Sequence, residues 1–195
     1  MKTAQLNALS TAFLLTFAIP VMATTVTPAA LWQEIQTLEK AHATMPQSTP
    51  FQVGSRTVDP LTTDLANAPA IRNIEAAGDI LKVRRYEDGS LLIKENYNLQ
   101  KQLVGVTAML KAPGFDAGDR NWIMAAYQPS GKVIAFGKVG SCIACHALVR
   151  QQDFVFAPPP QQLLPVTTWK AFFPKQEMNP EYLTLLKKYP GQVVQ

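Results

Sequence analysis

The sequence predicts an α+β domain: a predominantly antiparallel β-sheet with peripheral helices, and one late helix carrying both of the chain's cysteines. Three observations lead there. Apolar and β-branched runs fill residues 80–136 and are broken by the short turns Glu87-Asp88-Gly89 and Gln128-Pro129-Ser130-Gly131. Segments with a 3.6-residue period or with helix-start residues flank them on both sides. No internal repeat interrupts this order. Consecutive hairpin strands with helices outside them form an antiparallel sheet with covering helices.

Residues 1–23 read as a secretory signal. Lys2 supplies the positive start, residues 6–21 are largely apolar, and Val21-Met22-Ala23 is a small-residue cleavage site. The apolar run at residues 12–20 is too short to span a bilayer. The expectation is a signal peptide cleaved near Ala23, with residues 24–195 as a single domain in an exported compartment. Roughly 170 residues then remain, enough for a core built by ordinary burial.

Thr27-Pro28 opens a helix whose Leu31, Ile35 and Leu38 share one face, and it ends before Met45-Pro46. His42 extends that face and reads as a face residue more readily than as a metal ligand. Residues 51–58 alternate loosely as a strand, contain Arg56 and stop at Asp59-Pro60. Residues 61–77 are ambiguous, with a short helix over 69–77 that begins at Pro69 and ends at Gly78. Residues 80–86 and 90–97 read as the two arms of a hairpin. In the second arm Leu91, Ile93, Glu95 and Tyr97 lie on one face, and Leu92, Lys94 and Asn96 on the other. Strands follow at 103–110, 121–127 and 132–136, with Trp122 facing the core. A helix then runs from about Ser141 to Gln152. The chain has fifteen prolines, seven of them at 158–160 and in the tail, so residues 157–195 read as a strapped, irregular segment with short helices at 169–173 and 180–188.

The net charge is +4, or +3 without Lys2, and the Lys and Arg residues are scattered. No basic stripe with interleaved aromatics occurs, which argues against a nucleic-acid partner.

The late helix carries Cys142-Ile143-Ala144-Cys145-His146, and this holds both cysteines and one of two histidines. C-x-x-C-H is the attachment signature of c-type haem. Two thiols three residues apart in a helical turn each reach one porphyrin vinyl group, and the next residue presents an imidazole to the iron. A redox pair or a disulfide would use the cysteines without needing the histidine. A zinc site would need a fourth ligand, and only the remote His42 is left. Haem c, bound through Cys142 and Cys145 with His146 as the metal ligand, accounts for all three residues. Covalent attachment of haem c on the exported side agrees with the signal. A small electron-transfer cytochrome c carries this motif early and offers a methionine further on; here the motif is late and only Met178 follows it.

Several stretches in this order resemble the cytochrome P-460 family over residues 51–156. They are Asp88-Gly89-Ser90-Leu91-Leu92-Ile93-Lys94-Glu95, Asn121-Trp122, Pro129-Ser130-Gly131-Lys132, the C-x-x-C-H itself and Asp153-Phe154-Val155-Phe156. The resemblance implies a mostly antiparallel β fold, a homodimer and one of two activities. One branch oxidises hydroxylamine to nitrous oxide or nitric oxide, passes electrons to a partner cytochrome and carries a lysine bonded to the porphyrin edge. The other, the β-fold cytochromes c′, binds nitric oxide and related gases without turnover. Simple electron transfer is a third possibility. Lys94 falls on the family's lysine and becomes a candidate for that cross-link and for catalysis; an ordinary strand lysine snorkelling to solvent is the alternative. Arg56 falls near the family's arginine and would hold an anionic intermediate or a haem propionate. Proton removal benefits from a carboxylate, yet none occurs between Asp119 and Asp153, where Phe136 would instead crowd the open iron face. Glu95 is on the wrong face of its strand, and Asp116 and Asp119 lie in a loop. The implied setting is the periplasm.

Overall fold

The computed structural model describes residues 26–195, so the expected signal peptide at 1–23 lies outside the described residues. The first helix, α1 (Pro28–Lys40), begins where Thr27 Oγ1 accepts from the Ala30 amide at 3.2 Å, with Pro28 in the first turn. Its Leu31 and Ile35 are buried against a six-stranded sheet. The strands β1 (Gln52–Val53), β2 (Leu61–Ala66), β3 (Leu91–Tyr97), β4 (Leu103–Lys111), β5 (Trp122–Tyr127) and β6 (Val133–Gly137) lie side by side in chain order. Every neighbouring pair is antiparallel. The expected α+β architecture with peripheral helices is therefore present.

Three details differ from the sequence expectation. Residues 80–86 are not a hairpin arm. They form a 3-10 turn (Ile80–Lys82) and then an extended, unpaired stretch. The partner of β3 is instead β2, from the stretch whose sequence is ambiguous. Asn67 explains the exchange. It caps α2 (Ala68–Ala77) by accepting from the Ala70 amide, and the same side chain accepts from the Leu91 amide and donates to the Gly89 carbonyl. The start of β3 is thus tied to the end of β2. Ile80, Val83 and Tyr86 are free to turn inward together, each no more than 3% exposed. The strand expected over 51–58 is also mostly lost. Only Gln52–Val53 pairs with β2, and Arg56 sits beyond it in an isolated bridge to Met178.

After β6 come α3 (Gly140–His146), a kinked 3-10 stretch (Ala147–Gln152), α4 (Val166–Phe172) and α5 (Pro180–Lys188). The helix expected to run to Gln152 is α-helical only as far as His146. No described helix is long and apolar enough to cross a membrane.

Strand alternation divides the interior into two cores. Leu91, Ile93, Val106 and Tyr127 pack on the α1 side. Leu92, Met109, Trp122 and Met124 pack on the other side, with α2, Tyr86 and Phe154. Trp122 is fully buried, as its sequence position suggests.

The β5–β6 turn shows how tightly the α1 side closes. Trp32 of α1 packs against Tyr127 with ring centroids 5.1 Å apart and covers Gly131, whose φ is +84°. A Cβ on Gly131 would stand 2.3 Å from Trp32 Nε1. Gly131→Ala should therefore lose at least about 1–2 kcal/mol from the left-handed conformation alone, before Trp32 is displaced. Urea unfolding of the two proteins measures this, and an unchanged midpoint would show that the turn tolerates the methyl group.

Candidate functional site

The face of the sheet opposite α1 does not close completely. Between it, α3 and the C-terminal segment lies a cavity of about 420 Å³, a volume ordinary for a cofactor or ligand site. Cys142, Cys145 and His146 form one wall, and Thr62, Asp64, Lys94 and Asn96 contribute polar groups from the sheet. Met109 and Met124 line the apolar part. Arg56 stands at the loop before β2, and Phe172, Phe173 and Tyr182 come from the C-terminal segment.

Cys142 and Cys145 are one helical turn apart on α3, so both sulfurs reach the same side. Neither is in a disulfide. Burial pushes both thiols up, so they are held as thiols. His146 Nδ1 lies 2.6 Å from the Phe154 carbonyl oxygen and donates to it, which leaves Nε2 as the nitrogen free toward the cavity. Phe156 meets the imidazole edge-on with centroids 5.3 Å apart. Burial is the main reason the His146 pKa is lowered; the Phe154 bond opposes it and the Lys94 charge adds to it. The neutral, ligating imidazole is favoured.

Lys94 leans into this space because it shares the pleat direction of Leu92, as its alternation implies. Its side chain lines the cavity and is exposed there. Burial is the main cause lowering its pKa, and the Asp64 charge is the main opposition. Asp64 stands directly opposite it across β2 and β3. Its carboxylate accepts from Gln52 Nε2 and, at 3.4 Å, from Ser48 Oγ. Burial nonetheless pushes the Asp64 pKa up, against the influence of Lys94 and those two donors. A low-dielectric setting thus favours the neutral forms of both partners.

Arg56 makes a two-point contact with the buried Asp59, Nε to Oδ1 at 2.7 Å and the terminal nitrogen to Oδ2. Asn179 braces the adjoining backbone by donating to the Gly54 and Pro60 carbonyls at 2.9 and 3.3 Å. Arg56 is therefore a fixed cation at the cavity wall with part of its donor set engaged.

The sequence candidates Arg56, Lys94, Cys142, Cys145 and His146 are thus brought to one cavity. Glu95 is not; it faces away on the other side of β3. Phe136 packs in the α1-side core and does not crowd the cavity. Two features escaped the sequence. Asp64 lies in the ambiguous stretch, although the spacing of Thr62, Asp64 and Ala66 is that of one strand face. The aromatic wall from the C-terminal segment carries no local signature at all.

A C-x-x-C-H helix facing an apolar cavity across a sheet defines a haem c-binding protein. The residues fit that group: two thiols at helical spacing and an oriented neutral imidazole. A family model described as Cytochrome P460 matches residues 32–157. The chain belongs to that family and is a haem c protein of it. No curated protein matches the sequence. The family match stops short of the residues that supply Leu164, Phe172, Phe173 and Tyr182 to the cavity.

Asp64 has a folded pKa above its ordinary 3.8. As pH rises past that value the unfolded chain loses the proton before the folded one does, so this contribution to stability falls. Asp64→Asn cannot titrate there. The stability of the wild type relative to Asp64→Asn, read from denaturant midpoints, should therefore decline as pH rises from about 4. A constant or rising difference would show that Asp64 is not held against ionisation.

Proposed function

We propose that this is a periplasmic mono-haem c enzyme of the hydroxylamine-oxidising cytochrome P-460 type. The observation that carries the reading is the presence of Lys94 on the wall of the cavity that Cys142, Cys145 and His146 share. Haem, when bound, supplies the redox centre and the open coordination position for hydroxylamine. Cys142 and Cys145 would hold it through thioethers, and His146 Nε2 would ligate the iron. The Lys94 amine, pressed toward its neutral form by burial, stands where the family's porphyrin-bonded lysine falls; that bond would replace one amine N–H and one porphyrin C–H, releasing two protons and passing two electrons to an oxidant of the peroxide class. Asp64, opposite Lys94 in the β2–β3 register, is the carboxylate that receives a proton from it. Arg56, fixed by Asp59, holds an anionic group, either a haem propionate or a reaction intermediate. The Met and Phe side chains of the wall exclude water. Electrons leave to a partner cytochrome, the product is nitrous oxide or nitric oxide, and two copies of the chain pair as in the family. The periplasmic setting rests on the character of residues 1–23 together with C-x-x-C-H.

A second reading is favoured by the apolar walls around Met109, Met124, Phe172 and Phe173. On it, the protein is a β-type cytochrome c′ that binds nitric oxide without turnover. The spectrum of the purified, reduced protein separates the two. A Soret band moved far to the red supports the cross-linked enzyme, and an ordinary five-coordinate haem c spectrum supports gas binding. On the first reading the Lys94 peptide carries the porphyrin mass, and Lys94→Ala returns the spectrum to that of ordinary haem c. Hydroxylamine oxidation is lost in the same variant, by at least about 100-fold if the lysine shapes the transition state. A Lys94 peptide free of porphyrin, or unchanged turnover in Lys94→Ala, would remove the lysine from the mechanism.

A further inference from the structure

We infer that Asp153 is a positioning residue for the axial histidine: with Lys111, it locks the turn whose carbonyl holds His146. This rests on His146 being the iron ligand and is independent of Lys94 and of the substrate.

The chain leaves α3 at His146, passes through the 3-10 stretch and must double back beneath its own helix. It does so at Asp153 and Phe154, whose φ angles are +55° and +67°. The left-handed region is unfavourable for both residues, and an aromatic side chain has no local bond to offset it. Such a conformation persists only where its surroundings over-determine it. Here they do. The Asp153 carboxylate is 0% exposed and accepts from Lys111 Nζ at 2.7 Å, from the Tyr86 amide at 2.7 Å and from Arg120 at 3.4 Å. The Asp153 carbonyl accepts from Trp122 Nε1 at 2.7 Å. The Phe154 amide donates back to Val149 at 3.2 Å.

The product of this arrangement is one aimed atom. Phe154 O stands 2.6 Å from His146 Nδ1. A carbonyl accepting from Nδ1 selects the tautomer, fixes the ring plane and makes Nε2 a stronger donor, which favours ferric over ferrous iron. Neither Asp153 nor Lys111 touches His146. They act through the Phe154 carbonyl, and Lys111, at 2% exposure, has Asp153 as its only close counter-charge among the described residues.

The test uses the haem-loaded protein and two variants, Asp153→Asn and Asp153→Asn combined with Lys111→Met. The single variant keeps the shape but leaves a buried ammonium without its carboxylate, so it should lose stability. The double variant removes both charges and should regain stability. In both, the haem midpoint potential should move to more positive values, and the iron–imidazole stretching band of the ferrous protein should move to lower frequency. If the single variant does not fold, the double variant carries the test. The inference is overturned if the double variant, or a folded single variant, keeps the wild-type potential and band, since Asp153 would then serve stability alone. A five-coordinate, high-spin ferrous wild type without an iron–imidazole band would overturn it differently, by removing His146 as the ligand.

Discussion

The buried contact between Asp153 and Lys111 joins the two halves on which this protein depends. Lys111 is the last residue of β4, and Asp153 follows the helix that bears the cysteines and histidine. A charge pair taken wholly out of water gains little net stability over an apolar pair, but losing one partner is costly. Its effect is geometric: it allows one register between sheet and helix. Trp122, which donates to the Asp153 carbonyl and has the Lys111 ammonium 4.6 Å from its ring centroid, adds a third support at that point.

The sheet is a partition whose faces carry different duties. On the α1 side it is an ordinary core, with Leu91 and Ile93 of β3 and Val106 of β4 packed closely. On the other side β3 presents Lys94 and Asn96, and β2 presents Thr62 and Asp64, to a cavity. Filling that space with apolar side chains would make a tighter core. Keeping it open, and setting a lysine and an aspartate opposite each other within it, sacrifices stability for a site where both groups are pressed toward their neutral forms. The place of Lys94 on that wall, beside Cys142, Cys145 and His146, is the feature from which the proposed enzyme reading follows.

The residues beyond the family match complete the enclosure. Asn179 at the start of α5 is hydrogen-bonded to the loop carrying Arg56, Leu163 is tied to the last residues, and Phe172, Phe173 and Tyr182 face the cavity. The tail thus forms part of the wall and fixes the setting of the one arginine there.

Much was legible in the sequence because it depends on neighbours along the chain. C-x-x-C-H is a one-turn motif, and its chemistry follows from its spacing. The alternation in residues 91–97 determined which way Lys94 would point, and Thr27-Pro28 and Pro180 marked helix starts. What depended on contacts distant in sequence was not legible. Residues 80–86 have strand-like composition, but Asn67 occupies the edge they would have used, and only the fold shows this. Asp64 is an unremarkable polar residue until β2 lies beside β3. The sequence by itself determined the cofactor class, the antiparallel β character and the direction of Lys94, since periodicity and spacing are local. Only the tertiary structure decided which carboxylate faces Lys94, where Phe136 goes and what holds the imidazole, since strand pairing and buried charge join residues that the chain keeps far apart.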